Sequence, residues 1–122
     1  MPDEAEVLAA NQAFYAAFNA KDFDAMDALW AQAAAVACVH PGWNVLSGRE
    51  TVMDSWRAIL GNVSQPRVQS GGERVYLLGD VAYVICRELL EGAPLAATNV
   101  FVREDGAWRL AHLHSSPVMA AM

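Results

Sequence analysis

At 122 residues the chain has room for one domain, 1–122, built around one hydrophobic core. Hydrophobic residues make up 55 % and charged residues only 18 %, so apolar surface exceeds a monomer's needs and points to a ligand cavity or a subunit interface. The net charge of −6, with eight scattered basic residues, argues against a nucleic-acid partner, and no apolar run reaches the roughly 18 residues that span a bilayer.

The first third reads as helix. Val7, Asn11, Phe14 and Phe18 recur at three- and four-residue spacing, with Leu8 and Tyr15 beside them. Asp3, Glu4 and Glu6 suit the positive end of the helix dipole. The opening "MPDEAEVL" is acidic where a secretion signal is basic, so the expected location is cytoplasmic. "NAKD" breaks the pattern, and Asp22 can cap a second helix in which Phe23, Met26 and Trp30 share one face. Asp24 and Asp27 fall off that face and are expected in solvent.

"AVACVHPGWNVLSG" then carries a strand that stops at Pro41-Gly42. A short strand around Asn44 to Leu46 is expected to return antiparallel. Ser47 stands three residues before Glu50, the spacing of a reciprocal capping box, and opens a third helix. Val52, Trp56, Ile59 and Leu60 form its buried face, and Gly61-Asn62 ends it.

After Pro66 the pattern becomes β throughout. Four strands are predicted, Arg67–Leu78, Val81–Leu90, Leu95–Arg103 and Trp108–Ser116, joined by hairpin-type connections at Gly79-Asp80, "EGAP" and "EDG". Gly71-Gly72 suggests a bulge where the first of them bends. The layout is α+β: three N-terminal helices packed in a strongly curved antiparallel sheet, leaving a conical hollow. The sheet's outer face is also apolar, and a two-fold dimer through that face is the economical way to cover it. Cys38 and Cys86 form no CxxC and read as small buried hydrophobes in a reducing compartment.

The order of elements, ending in "TNVFVREDGAWRLAHLHSSP", resembles the nuclear-transport-factor-2-like superfamily, which includes ketosteroid isomerases and SnoaL-like polyketide cyclases. Within it, "NAKDFDAM", "VHPGWNVLSG", "GDVAYVICRE" and "DGAWRLAHLHSSP" look most similar to the branch of the calcium/calmodulin-dependent kinase II association domain. The resemblance covers essentially the whole chain. It implies a cystatin-like cone, a homodimer or larger assembly, and a deep pocket that in the kinase domain carries arginines and binds small acids. Matched stretch by stretch, Arg87 falls on one arginine position, and Asn99 and Ser115 fall where two more would be. His40 stands where that domain has a glutamate, and Trp56 where it has another aromatic residue.

Strand alternation puts Trp108, Leu110, His112 and His114 on one face of the last strand, and Arg109, Ala111, Leu113 and Ser115 on the other. With Ser115 matched to the pocket, both histidines face outward unless a bulge intervenes. A His-x-His pair could supply two metal ligands, but His40 is the only other histidine and no carboxylate stands at a suggestive spacing. A catalytic or an interface role stays open for the pair, and no cofactor or metal is expected. The isomerases of the superfamily use carboxylates and a tyrosine in the cone. Here Glu88 lies in a strand interior, with Arg87 pointing to the opposite face, and no carboxylate stands out as a base.

These readings lead to a small-molecule-binding dimeric cone. Its ligand is mainly apolar, with a polar or acidic head. Trp30, Trp56 and Tyr83 are expected as walls, Trp43 and His40 at the rim, and Arg87, Asn99 and Ser115 at the polar end. Arg87 is alternatively a strand arginine whose head reaches solvent. An isomerase, dehydratase or cyclase using Tyr83 and a histidine is the rival, and a non-catalytic association module the third possibility.

Overall fold

A computed structural model describes residues 2–119. Its elements run α1 (Pro2–Ala20), α2 (Phe23–Leu29), β1 (Ala37–Val39), β2 (Leu46–Ser47), α3 (Arg49–Gly61), β3 (Val68–Leu78), β4 (Val81–Leu90), β5 (Ala93–Glu104) and β6 (Ala107–Pro117). The six strands form one curved, open sheet in the order β2-β1-β6-β5-β4-β3, with the three helices packed against it. The expected α+β architecture is therefore present.

The sheet is mixed rather than wholly antiparallel, because β1 pairs parallel with β6, with Ala37 opposite His112 and Val39 opposite His114. Between β1 and β6 the chain runs through β2, α3 and three strands, long enough for β6 to return beside β1 in the same direction. The return strand expected after the Pro41-Gly42 turn does pair antiparallel with β1, through Cys38 and Leu46.

Local chemistry explains most boundaries. Asp22 caps α2 by accepting from the Ala25 amide at 3.1 Å. The capping box on Ser47 does not form: Ser47 ends β2, and Gly48 occupies the cap position at φ 90° without a side-chain bond. Asp27 is not left to solvent. Arg49 donates to its carboxylate at 2.8 Å and to the carbonyls of Asp27, Trp30 and Ala31, tying the start of α3 to the end of α2. Glu91-Gly92 and Asp105-Gly106 are two-residue hairpin loops with positive φ at both residues, the backbone that matches strand twist. Because Glu91-Gly92 closes so tightly, β5 starts at Ala93, two residues earlier than expected.

Two bulges shape the inner face. The first falls between Gly71 and Arg74, as the glycine pair suggests, with Gly72 at φ 67°. The second lies in β6, where Phe101 pairs with Leu110 but Val100 pairs with His112, leaving Ala111 unpaired. It splits the alternation: Trp108 and Leu110 face the helices, and beyond the bulge Leu113 and Ser115 do. His112 and His114 face outward, but Trp108 and Leu110 do not share their side. The core between helices and sheet is aromatic, with Phe14, Trp30, Trp56 and Phe101 almost wholly buried.

Candidate functional site

A cavity of about 170 Å³ opens between the helices and the inner face of the sheet. Its apolar lining comes from Phe14 and Phe18 of α1, Trp56 and Ile59 of α3, and Leu90, Leu95 and Leu113 of the sheet. The aromatic rings meet edge to face: Phe14 and Phe18 stand at 76° and 85° to Trp56, with centroids 5.5 and 5.9 Å away. Such T-shaped contacts fix ring orientation beyond simple area burial.

One wall is polar. Glu88, 6 % exposed, points inward from β4. Its Oε2 accepts from the Tyr15 hydroxyl at 2.5 Å, and its Oε1 accepts from Ser115 Oγ at 2.6 Å. All three residues line the cavity. Behind them, Asn99 Nδ2 donates to Asn11 Oδ1 at 2.8 Å and to the Tyr15 oxygen at 3.2 Å. Cys86 Sγ lies 3.3 Å from the same oxygen. Burial, followed by the charges of Glu88 and Cys86, holds the Tyr15 hydroxyl far above its ordinary range, so it stays a proton-bearing donor. Burial also lifts the Cys86 thiol to about 11 and Cys38 to about 12, which keeps both from acting as nucleophiles near neutrality.

His40 sits across the cavity from the β1 end, its ring edge-on to Trp56 and Trp43 at 4.7 and 4.9 Å. Its Nε2 lies 2.9 Å from Ser55 Oγ, and Ser55 spends its own hydrogen on the Val52 carbonyl at 2.6 Å. Nε2 must therefore carry the proton and donate, leaving Nδ1 as the acceptor. Burial depresses His40 to about 4, so the ring is neutral at physiological pH. Trp43, 47 % exposed, stands at the mouth.

Several expected site residues lie elsewhere. Arg87 and Tyr83 are on the outer face of β4, where Tyr83 stacks on Tyr76 at 4.8 Å, so neither reaches the cavity. Every residue of that strand is one of an alternating pair, and the inward set is Ala82, Val84, Cys86 and Glu88. Trp30 is core rather than wall: it is wholly buried and does not line the cavity. Asn99 stands one layer behind, as a support for Tyr15. His40, Trp43, Trp56 and Ser115 do line the cavity. The residues that sequence reasoning passed over are Glu88, Tyr15 and Asn11. Their signals were a carboxylate inside a strand and an amide inside an apolar helical stripe. Among the described residues no cluster of His, Cys, Asp or Glu could hold a metal ion.

Residues 7–121 match the family model of the SnoaL-like domain. The chain belongs to the SnoaL-like family. This SnoaL-like domain is similar to a protein of Streptomyces avermitilis named as a candidate dehydratase of the nuclear-transport-factor-2-like family, with 36 % identity, 98 % of each chain covered and a TM-score of 0.89. It is equally similar in sequence, at 36 % identity, to a candidate calcium/calmodulin-dependent kinase II association domain from Thiobacillus denitrificans, covering 91 % of this chain and 94 % of the other at a TM-score of 0.81. A cystatin-like fold protein of Caulobacter vibrioides, 16 % identical with a TM-score of 0.80, shares the fold. The F-box protein SKIP8 of Arabidopsis thaliana is 29 % identical over 115 residues; these are 93 % of this chain, which spans about half the length of that curated relative.

Proposed function

We propose that this domain binds a small, mainly apolar molecule in the cone and holds its polar end at Glu88. The observation that carries this reading is a carboxylate bonded by two hydroxyls at one wall of a cavity otherwise lined by aromatic and aliphatic side chains. A ligand site of that composition is the usual form of specific small-molecule recognition. The ligand's head is polar rather than acidic. The cavity lining contains no lysine or arginine, and His40 is neutral. A thermal-shift screen of compounds with up to about ten heavy atoms is expected to raise Tm, with the shift lost in Leu113→Phe, which fills the cavity. The absence of any hit that Leu113→Phe abolishes overturns the reading.

A dehydratase is the second reading, favoured by the Streptomyces neighbour. Its difficulty is the acid. Tyr15 is held far above the range of a useful donor, and neutral His40 gives its proton to Ser55. The route left is syn elimination, in which Glu88 takes the proton from carbon and passes it to the departing hydroxyl, releasing water. Turnover that survives Glu88→Gln would dismiss it.

The same reading includes a two-fold dimer through the outer face of the sheet. Tyr76, Leu78, Val81, Ile85 and Leu89 expose apolar surface there, with Ile85 42 % and Leu89 44 % exposed. Light scattering at micromolar concentration is expected to give the dimer mass, and a monomer mass would end that part. The two buried free thiols suit a reducing, cytoplasmic setting. No helix among the described residues is long and apolar enough to cross a membrane.

A further inference from the structure

We infer that the ligand of the cone is a small amine, bound as its ammonium form against Glu88 and inside the aromatic corner of Phe14, Phe18 and Trp56. The inference rests on the binding reading above and names the charge and size class of its ligand. Charge comes first. The hydroxyls of Tyr15 and Ser115 give Glu88 two donors but no compensating cation. The ion pairs among the described residues, Arg49 with Asp27 and Arg103 with Asp3 and Asp80, all lie away from it. Two lone-pair positions on the carboxylate remain for a ligand, and only donors can use them. Trp56 Nε1–H has no hydrogen-bond partner among the described residues and brings no charge that could balance Glu88.

An incoming carboxylate therefore meets a like charge at the polar wall of the cavity. A neutral hydroxyl gains hydrogen bonds but leaves the charge of Glu88 unbalanced, whereas an ammonium supplies both donors and charge. The rings act in the same direction. Phe14, Phe18 and Trp56 all line the cavity, and a ring face open to it attracts a cation by its quadrupole. Size follows from the volume: about 170 Å³ is close to the roughly 150 Å³ of an apolar cavity that takes up benzene. One ring with a short polar arm fills it.

Benzylamine, benzyl alcohol and benzoate share that shape and differ in charge, so calorimetry or thermal shift with the three separates the outcomes. Benzylamine is expected to bind about tenfold more tightly than benzyl alcohol, with benzoate weakest. Glu88→Gln is expected to erase the preference for the amine while benzyl alcohol still binds. Should Glu88→Gln fail to fold, the order of the three probes on the native protein decides alone. Benzyl alcohol or benzoate binding as well as benzylamine, or better, overturns the amine inference and leaves the pocket reading standing. No binding of any of the three, in a protein that also gives no hits with other small compounds, overturns both.

Discussion

The two faces of the sheet are built from the same residue types and behave as opposites. On the inner face, polar groups are buried: Asn99, Glu88 and Ser115 sit among Val84, Cys86, Ala97 and Leu113, each bonded to a neighbour. On the outer face, apolar groups are exposed: Val81, Ile85 and Leu89 alternate with them along β4, beside Tyr83 stacked on Tyr76. A buried polar residue costs stability unless it is satisfied, and an exposed apolar face costs solubility unless it is covered. The inner face is arranged around a cavity, and the proposed dimer would cover the outer face.

Neighbouring residues of β4 give the sharpest test of this difference. Val84→Asp places a charge on the wholly buried side and is expected to cost more than about 4 kcal/mol, leaving the chain unfolded by circular dichroism. Ile85→Asp, one residue on, is expected to cost the monomer less than about 1 kcal/mol while converting a dimer to monomer by light scattering. Equal damage from the two would mean that the faces are not distinct.

The same contrast explains what could be read from sequence. The element order was legible because helix stripes, hairpin loops and Gly71-Gly72 are local signals. The parallel partner of β1 was not, since pairing between Ala37 and His112 joins residues far apart in the chain. In β4 both alternating sets are apolar, Val81, Tyr83, Ile85 and Leu89 against Ala82, Val84 and Cys86. Period-2 reasoning therefore separates the faces without saying which is inside. Likeness to the kinase association domain then assigned Arg87 to the cone, which put Glu88, on the opposite face, outside it. Had the strand-interior carboxylate Glu88 been weighed against the amide Asn11 in the facing helical stripe, the inner side would have followed. Two polar residues on surfaces that meet need each other, or need partners nearby. The Ala111 bulge left no mark at all, because alanine fits either a paired or an unpaired strand position.

Two tyrosines carry the comparison to the level of single atoms. Tyr15→Phe deletes a hydroxyl that donates to Glu88 and accepts from Asn99. It is expected to cost about 2–3 kcal/mol in a urea titration. Tyr83→Phe removes a hydroxyl from the outer face and is expected to change the same titration by less than about 0.5 kcal/mol.

His40 adds a pH dependence to the inner face. Its folded value of about 4 lies below the 6.5 of an unperturbed histidine, so the unfolded chain binds the extra proton between those values. The contribution is complete above about pH 6.5 and is lost as pH falls toward 4. By pH 5 the loss is about 2 kcal/mol. Urea midpoints at pH 7 and pH 5 measure it, and His40→Gln is expected to flatten the difference by that amount. An unchanged difference would show that His40 is not kept neutral by the fold.

The smallest expected effect belongs to the residue that likeness put in the pocket. Arg87 projects outward from β4 and makes no hydrogen bond or ion pair with the described residues, its guanidinium passing near Gly72 at the β3 bulge. Arg87→Gln keeps most of the methylene stem on the sheet and removes the charged head. Ligand affinity is expected to change less than about twofold and monomer stability less than about 0.5 kcal/mol. Glu88→Gln, the adjacent substitution, changes ligand choice instead. If Arg87→Gln weakened ligand binding as strongly as its neighbour does, the ligand would have to touch the outer face, and the division of the sheet into a binding side and an associating side would fail.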